Sequence, residues 1–89
     1  MAITIICSMK VTNFEDWKAG FDSHEDGRKA AGISVTAYQN LDDPTNAIGI
    51  GIAPSREAWE SFFSRPNIQD NMRTSGVIGP PEIMLLVEA

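Results

Sequence analysis

Apolar and polar residues alternate from the start of the chain: Ile3, Ile5, Cys7, Met9 and Val11 fall between Thr4, Ile6, Ser8 and Lys10. A period of two predicts a β-strand with one face in the core. The period then lengthens. Read as one helix from Asn13 to Gly32, the chain places Phe14, Trp17, Phe21, His24, Arg28 and Ala31 within an arc of roughly 100°. Lys18, Asp22, Glu25, Asp26 and Lys29 fall mostly outside it. Asn13 supplies a capping oxygen, Asp16 complements the helix dipole, and Gly32 suits a left-handed terminus. A second strand, Ile33 to Leu41, puts Ile33, Val35 and Ala37 opposite Ser34, Thr36 and Tyr38. Asp42-Asp43-Pro44-Thr45-Asn46 is a turn by its chemistry.

In the third strand, Ala47 to Ala53, the isoleucines at 48, 50 and 52 face one way, and Ala47, Gly49, Gly51 and Ala53 the other. Ser55 caps a helix over Arg56 to Phe63 that buries Ala58, Trp59 and Phe62. Pro66 opens a further short helix carrying Ile68 and Met72, and Gly76 ends it. Gly79-Pro80-Pro81 reads as an extended connector, and Ile83 to Val87 as a last, strongly apolar strand.

The order β-α-β-β-α-β predicts an α+β, ferredoxin-like fold: a four-stranded antiparallel sheet with both helical segments on one face. Residues 1–89 form a single domain. The opposite sheet face would carry Ile6, Tyr38, the Gly49/Gly51 strip, Met84 and Leu86, or the complementary set in the other register. Either set is too apolar for water over that area. A chain of 89 residues without disulfides has a small core, and association is the usual remedy. The expectation is a homodimer packed sheet on sheet, the small residues of the third strand admitting close approach.

Twelve acidic residues against seven scattered basic ones give a net charge of −5. Phosphate recognition needs clustered Lys and Arg, so nucleic acid is not an expected partner, nor is an anionic membrane surface. No apolar run approaches the ~20 residues of a membrane span, and no charged start precedes an apolar segment. The lone Cys7 permits no internal disulfide. The expected location is the cytoplasm. One His and one distant Cys make no metal-ligand pattern, and the glycines at 49 and 51 lie inside a strand rather than opening a helix. No metal, flavin or nicotinamide is expected.

Candidate chemistry lies on the first helical stripe. His24, the only histidine, suits proton transfer near neutral pH. A structural histidine bonded to a carbonyl or to a partner subunit is the alternative, and Asp22, on another face, is poorly placed to orient it. Arg28, one turn on, has the paired donors to clamp a carboxylate or enolate oxygen. The competing role is a salt bridge to Glu82, Glu88 or an acid of a second subunit. Trp17, Phe21, Trp59 and Met72 fit both a packed core and an aromatic-lined pocket. Tyr38 offers a hydroxyl to a substrate oxygen or to an interface. Cys7 reads as a small buried apolar residue.

Over almost its whole length the chain resembles the dimeric α/β-barrel superfamily, in particular small proteins similar to antibiotic-biosynthesis monooxygenases and cyclases. The resemblance is carried by Asn13-Phe14-Glu15-Asp16-Trp17-Lys18, Phe21-Asp22-Ser23-His24, Arg28-Lys29-Ala30-Ala31-Gly32, Asp42-Asp43-Pro44-Thr45-Asn46, Ser55 to Phe63, and Gly76-Val77-Ile78-Gly79-Pro80-Pro81-Glu82. It implies a pocket between helices and sheet of the kind that holds a polycyclic aromatic or quinol-like substrate. Haem-degrading members take a histidine from a later helix, and this chain has none after His24. The expected function is that of a cofactor-independent enzyme of monooxygenase, isomerase or cyclase type. In that reading His24 moves the proton, and Arg28 and Tyr38 hold the oxyanion. Trp17, Phe21, Trp59 and Met72 bind the small aromatic or quinonoid ligand. The alternatives are a non-catalytic small-molecule-binding protein with the same pocket, and a stress-related dimer whose stripe is fully packed.

Overall fold

The computed structural model describes residues 1–89. The elements are β1 (Ile3–Val11), α1 (Phe14–Asp22), α2 (Glu25–Ala30), β2 (Ser34–Gln39), β3 (Asn46–Ala53), α3 (Arg56–Phe63), α4 (Pro66–Thr74) and β4 (Val77–Leu86). The sheet runs β2-β3-β1-β4, every neighbouring pair antiparallel. This is the ferredoxin-like layout that the hydrophobic pattern predicts, with each helical crossover divided in two.

Local chemistry accounts for most boundaries. The Asn13 side chain accepts from the Asp16 N–H at 2.9 Å, and Ser55 Oγ from the Ala58 N–H at 3.1 Å, satisfying donors that open α1 and α3. Pro66 takes the first turn of α4, where its missing N–H costs nothing. At the end of α2 the Ile33 N–H reaches the Arg28 carbonyl at 2.8 Å and the Gly32 N–H the Lys29 carbonyl at 3.0 Å. Gly32 has φ +76°, so this is a Schellman terminus built on the one residue free to adopt that angle.

Two boundaries differ from the pattern. The single helix expected over Asn13–Gly32 is broken at Ser23-His24. Ser23 Oγ donates to the Gly20 carbonyl at 2.6 Å, and the His24 N–H turns back to Phe21 O at 3.2 Å instead of continuing the ladder. Serine competes for backbone acceptors in this way and ends helices. The Gly79-Pro80-Pro81 stretch, expected as a connector, is part of β4. Ser8 pairs with Glu82 and Lys10 with Ile78, so three residues of β4 face the single Met9 in a bulge. β4 is an edge strand, and a bulge there tolerates prolines with no N–H to donate.

The register decides the faces. Ile5, Cys7, Met9 and Val11 of β1 point under the helices with Ala47, Gly49 and Ala53 of β3. Outward lie Ile6, Ile48, Ile50, Ile52, Tyr38, Met84 and Leu86, with Tyr38 half exposed and Ile52 and Met84 slightly more so. The glycine strip was expected on that outward face; it faces the helices instead, and three isoleucines take its place. A Cβ at Gly51 would lie 2.7 Å from Val35 Cα and still closer to the Ser34 carbonyl oxygen, so this glycine permits β2 to pair tightly with β3. No helix is long and apolar enough to cross a membrane.

Candidate functional site

The core is two clusters rather than one. Ile5, Ile33, Ala53, Trp59, Phe62 and Ile68 pack at one end. Cys7, Met9, Val11, Trp17 and Ala47 pack at the other. Between them, under the helices, is a cavity of about 80 Å³ with an opening to solvent, and members of both clusters form its walls. Its floor is the cross-strand pair Cys7 and Gly49. A side chain at Gly49 would meet Val35 Cγ1 at 3.1 Å, so the bare backbone here is what keeps the floor low. Water needs roughly 10–15 Å³ by this measure, whereas a cavity that accepts benzene is about 150 Å³. A fused polycyclic ligand therefore does not fit without displacing an aromatic wall, which narrows the size of ligand the fold resemblance implied.

All six sequence-derived candidates on the helices (Trp17, Phe21, His24, Arg28, Trp59 and Met72) line this cavity. Tyr38 does not. It stands on the outward face with Ile48, separated from His24 and Arg28 by the thickness of the sheet, and within one chain it cannot hold an oxyanion in the cavity. Phe62, Phe63, Asn71 and Ser75 also line the wall. Phe62 is on the face that the sequence reads as buried, and Phe63 follows it at the end of α3. Asn71 and Ser75 carried no pattern of their own, because only the docking of α4 against α1 brings them to the cavity. The Asn71 amide lies where a Cβ on Gly20 would be, so the glycine lets α4 approach.

Trp17 stacks on Phe21 with centroids 5.2 Å apart, and Phe21 in turn carries the Arg28 guanidinium, its Cζ 3.8 Å from the ring centre. Across the cavity Trp59 stacks on Phe63 at 5.0 Å. Both aromatic ladders run through helical i,i+4 spacing, which aligns side chains on one face.

Arg28 is only 7% exposed. Its Nη1 donates to the Phe21 carbonyl at 2.9 Å, capping the end of α1 across the helix break. The salt bridge to Glu82 or Glu88 weighed as its alternative role does not form; the four ion pairs of the chain are Lys18–Asp22, Lys29–Glu25, Arg56–Glu60 and Arg73–Asp70. Burial pushes the guanidinium pKa below its ordinary value, the charges of Glu25 and Asp22 opposing. His24 is half-buried at the break, with its carbonyl taking the Arg28 N–H at 3.0 Å, so the two side chains start one turn apart. No side chain orients its imidazole: Asp22 is held by Lys18 at 2.8 Å. Cys7 lies in the floor, and burial pushes its thiol up to about 11, leaving it protonated and inert.

Chemically, the site joins a titratable imidazole, a buried cation and flat apolar walls. No three His, Cys, Asp or Glu side chains converge on one point. No family model matches the chain, and no curated protein matches it by sequence. Solved structures match over nearly the whole length. An antibiotic biosynthesis monooxygenase candidate from Bordetella bronchiseptica superposes with a TM-score of 0.82 at 16% identity, over 99% of this chain and 97% of that one. SnoaB from Streptomyces nogalater, a cofactor-independent oxygenase, gives 0.79 at 12% identity over 99% and 93%. A conserved protein from Methanosarcina mazei gives 0.80 at 14% over 100% and 94%. The chain thus has the fold of the antibiotic-biosynthesis-monooxygenase-like proteins, as the resemblance in its residues implies.

Proposed function

We propose that this chain is a cofactor-independent enzyme that deprotonates a small aromatic or quinonoid substrate in the cavity between helices and sheet, and that it works as a homodimer joined through the outward sheet face. The observation that carries the reading is the meeting of His24 and an ion-pair-free Arg28 in one aromatic-lined cavity. The fold shared with SnoaB, a cofactor-independent oxygenase, supports the same kind of chemistry. Exposed Ile50, Ile52, Met84 and Leu86 on one sheet face support the dimer.

In this mechanism the imidazole of His24 accepts a proton from an acidic O–H or C–H, and Arg28 holds the anionic oxygen. The electron-rich anion reduces dioxygen directly. For oxygenation of a ring methylene, both C–H bonds break, a carbonyl forms with one oxygen atom, and the other leaves as water. The four-electron oxidation of carbon matches the four-electron reduction of O₂, so no external reductant enters.

Oxygen uptake by the purified protein with a series of single-ring quinols and phenols tests this. His24→Asn should lower turnover by roughly 10²–10⁴, the usual share of a general base. Turnover unchanged in His24→Asn would remove the assignment. One observation favours a second reading: nothing in the chain orients His24, as a general base ordinarily requires. Saturable binding with no consumption of ligand or oxygen would make this a binding protein. The open cavity weighs against a fully packed, purely structural stripe.

A further inference from the structure

We infer that the ligand of this cavity is a small apolar monocarboxylate, its carboxylate taken by the Nε/Nη2 edge of Arg28 and its apolar body lying against Phe21, Trp17 and Trp59. This rests on the reading of the cavity as a ligand site and adds to it the class of ligand. Arg28 is more than nine-tenths buried, yet only Nη1 is engaged, on a backbone carbonyl. Neither nearby acid forms an ion pair with it: Asp22 is paired with Lys18 at 2.8 Å and Glu25 with Lys29 at 4.0 Å. None of its nitrogens is sealed from solvent without a partner, and the side chain forms part of the cavity wall.

The guanidinium is held flat on Phe21 at 3.8 Å, which fixes its plane. With Nη1 spent, the adjoining edge presents two parallel N–H groups, the geometry that fits the two oxygens of a carboxylate. A phenol offers one oxygen and must first lose its proton. A carboxylate arrives charged and supplies the counter-ion that a buried cation otherwise lacks. Size sets the rest. A cavity of about 80 Å³ with an open mouth takes no more than one ring, part of it in the mouth.

The test is binding of benzoate, benzamide and phenol to the intact wild-type protein at constant ionic strength, followed by the fluorescence of Trp17 and Trp59 and by calorimetry. Benzoate should bind at least tenfold more tightly than either neutral ring. Arg28→Met should erase that preference, and Arg28→Lys should restore only part of it, because the charge returns without the fork. Equal affinity for benzoate and benzamide in the wild type overturns the inference, as does a preference that survives Arg28→Met. The wild-type series decides the matter even if a variant fails to fold. None of these readouts needs turnover. Benzoate preference with no consumption of ligand or oxygen across the quinol and phenol series sustains the inference and sinks the enzyme reading, whereas turnover of neutral quinols without benzoate preference does the reverse.

Discussion

Arg28→Met separates a binding arginine from a structural one, because the two roles predict different stabilities: little change for the first, a large loss for the second. Three contributions are lost or replaced. The bond from Nη1 to Phe21 O is charge-assisted, a type worth about 1.5–3 kcal/mol. Phe21 O also accepts the His24 N–H at 3.2 Å, so losing Nη1 leaves no orphan acceptor, and the low end applies. The cation over Phe21 contributes about 0.5–2 kcal/mol, and a methionine sulfur on the same ring returns about 0.3–1.5 kcal/mol. Against these stands the cost of keeping a charged residue only 7% exposed without an ion pair. Replacing buried ionic groups by apolar ones of similar volume is often neutral or stabilising by about 1–4 kcal/mol.

Mid-range values cancel to within about 1 kcal/mol of zero, which for a domain of this size keeps the melting temperature within roughly 4–8 °C of wild type. Urea and thermal unfolding at one fixed protein concentration measure it, since association would otherwise shift the midpoint. A destabilisation beyond about 3 kcal/mol would refute the reasoning. It would mean that capping α1 is what Arg28 is for.

The remaining predictions test the faces and the floor. Ile50 sits mid-sheet on the outward face beside Thr36 and Ile6, so the wild type should sediment as a dimer and Ile50→Lys as a folded monomer; a dimer that survives the lysine places the interface elsewhere. Gly51→Ala should cost more than about 2 kcal/mol, since its Cβ meets the Ser34–Val35 backbone, while Gly79→Ala, in open space at φ +71°, should cost about 1–2 kcal/mol. The reverse order in urea unfolding would contradict the β2–β3 register. Cys7 is raised from 9.0 to about 11 in the folded chain, so between those values the unfolded state releases a proton that the folded state retains. Stability should therefore be full below pH 9 and fall by about 2–3 kcal/mol as pH rises towards 11, and Cys7→Ala should flatten that slope.

Much of this fold is legible in the chain because its signals are local. Asn13, Ser55, Pro66 and Gly32 each end or begin a helix through one or two neighbouring backbone groups, and alternation alone separates Val35 from Thr36. Facing is less legible. A strand of isoleucines alternating with glycines has two plausible inner faces, and the choice depends on the register with β1, where Gly49 meets Cys7. The helix arc brings together Trp17, Phe21, His24 and Arg28, and all four line the cavity. Tyr38 was assigned by its chemistry rather than by its face, and the sheet lies between it and that cavity.

The break at Ser23-His24 is the feature that periodicity alone conceals, and the site depends on it. In a continuous helix His24 would be one more interior position with its N–H bonded to Gly20. Here Ser23 Oγ donates to the Gly20 carbonyl, the His24 N–H turns to Phe21, and a second helix starts at Glu25. That second start lets Arg28 reach back to the last carbonyls of α1 while standing on the cavity wall. An unbroken helix would instead bond the Phe21 carbonyl to the Glu25 N–H of its next turn. The break that Ser23 makes is thus what sets Phe21 and Arg28 against each other, and substitutions that restore helix propensity at Ser23 act on the site without touching any group that lines it.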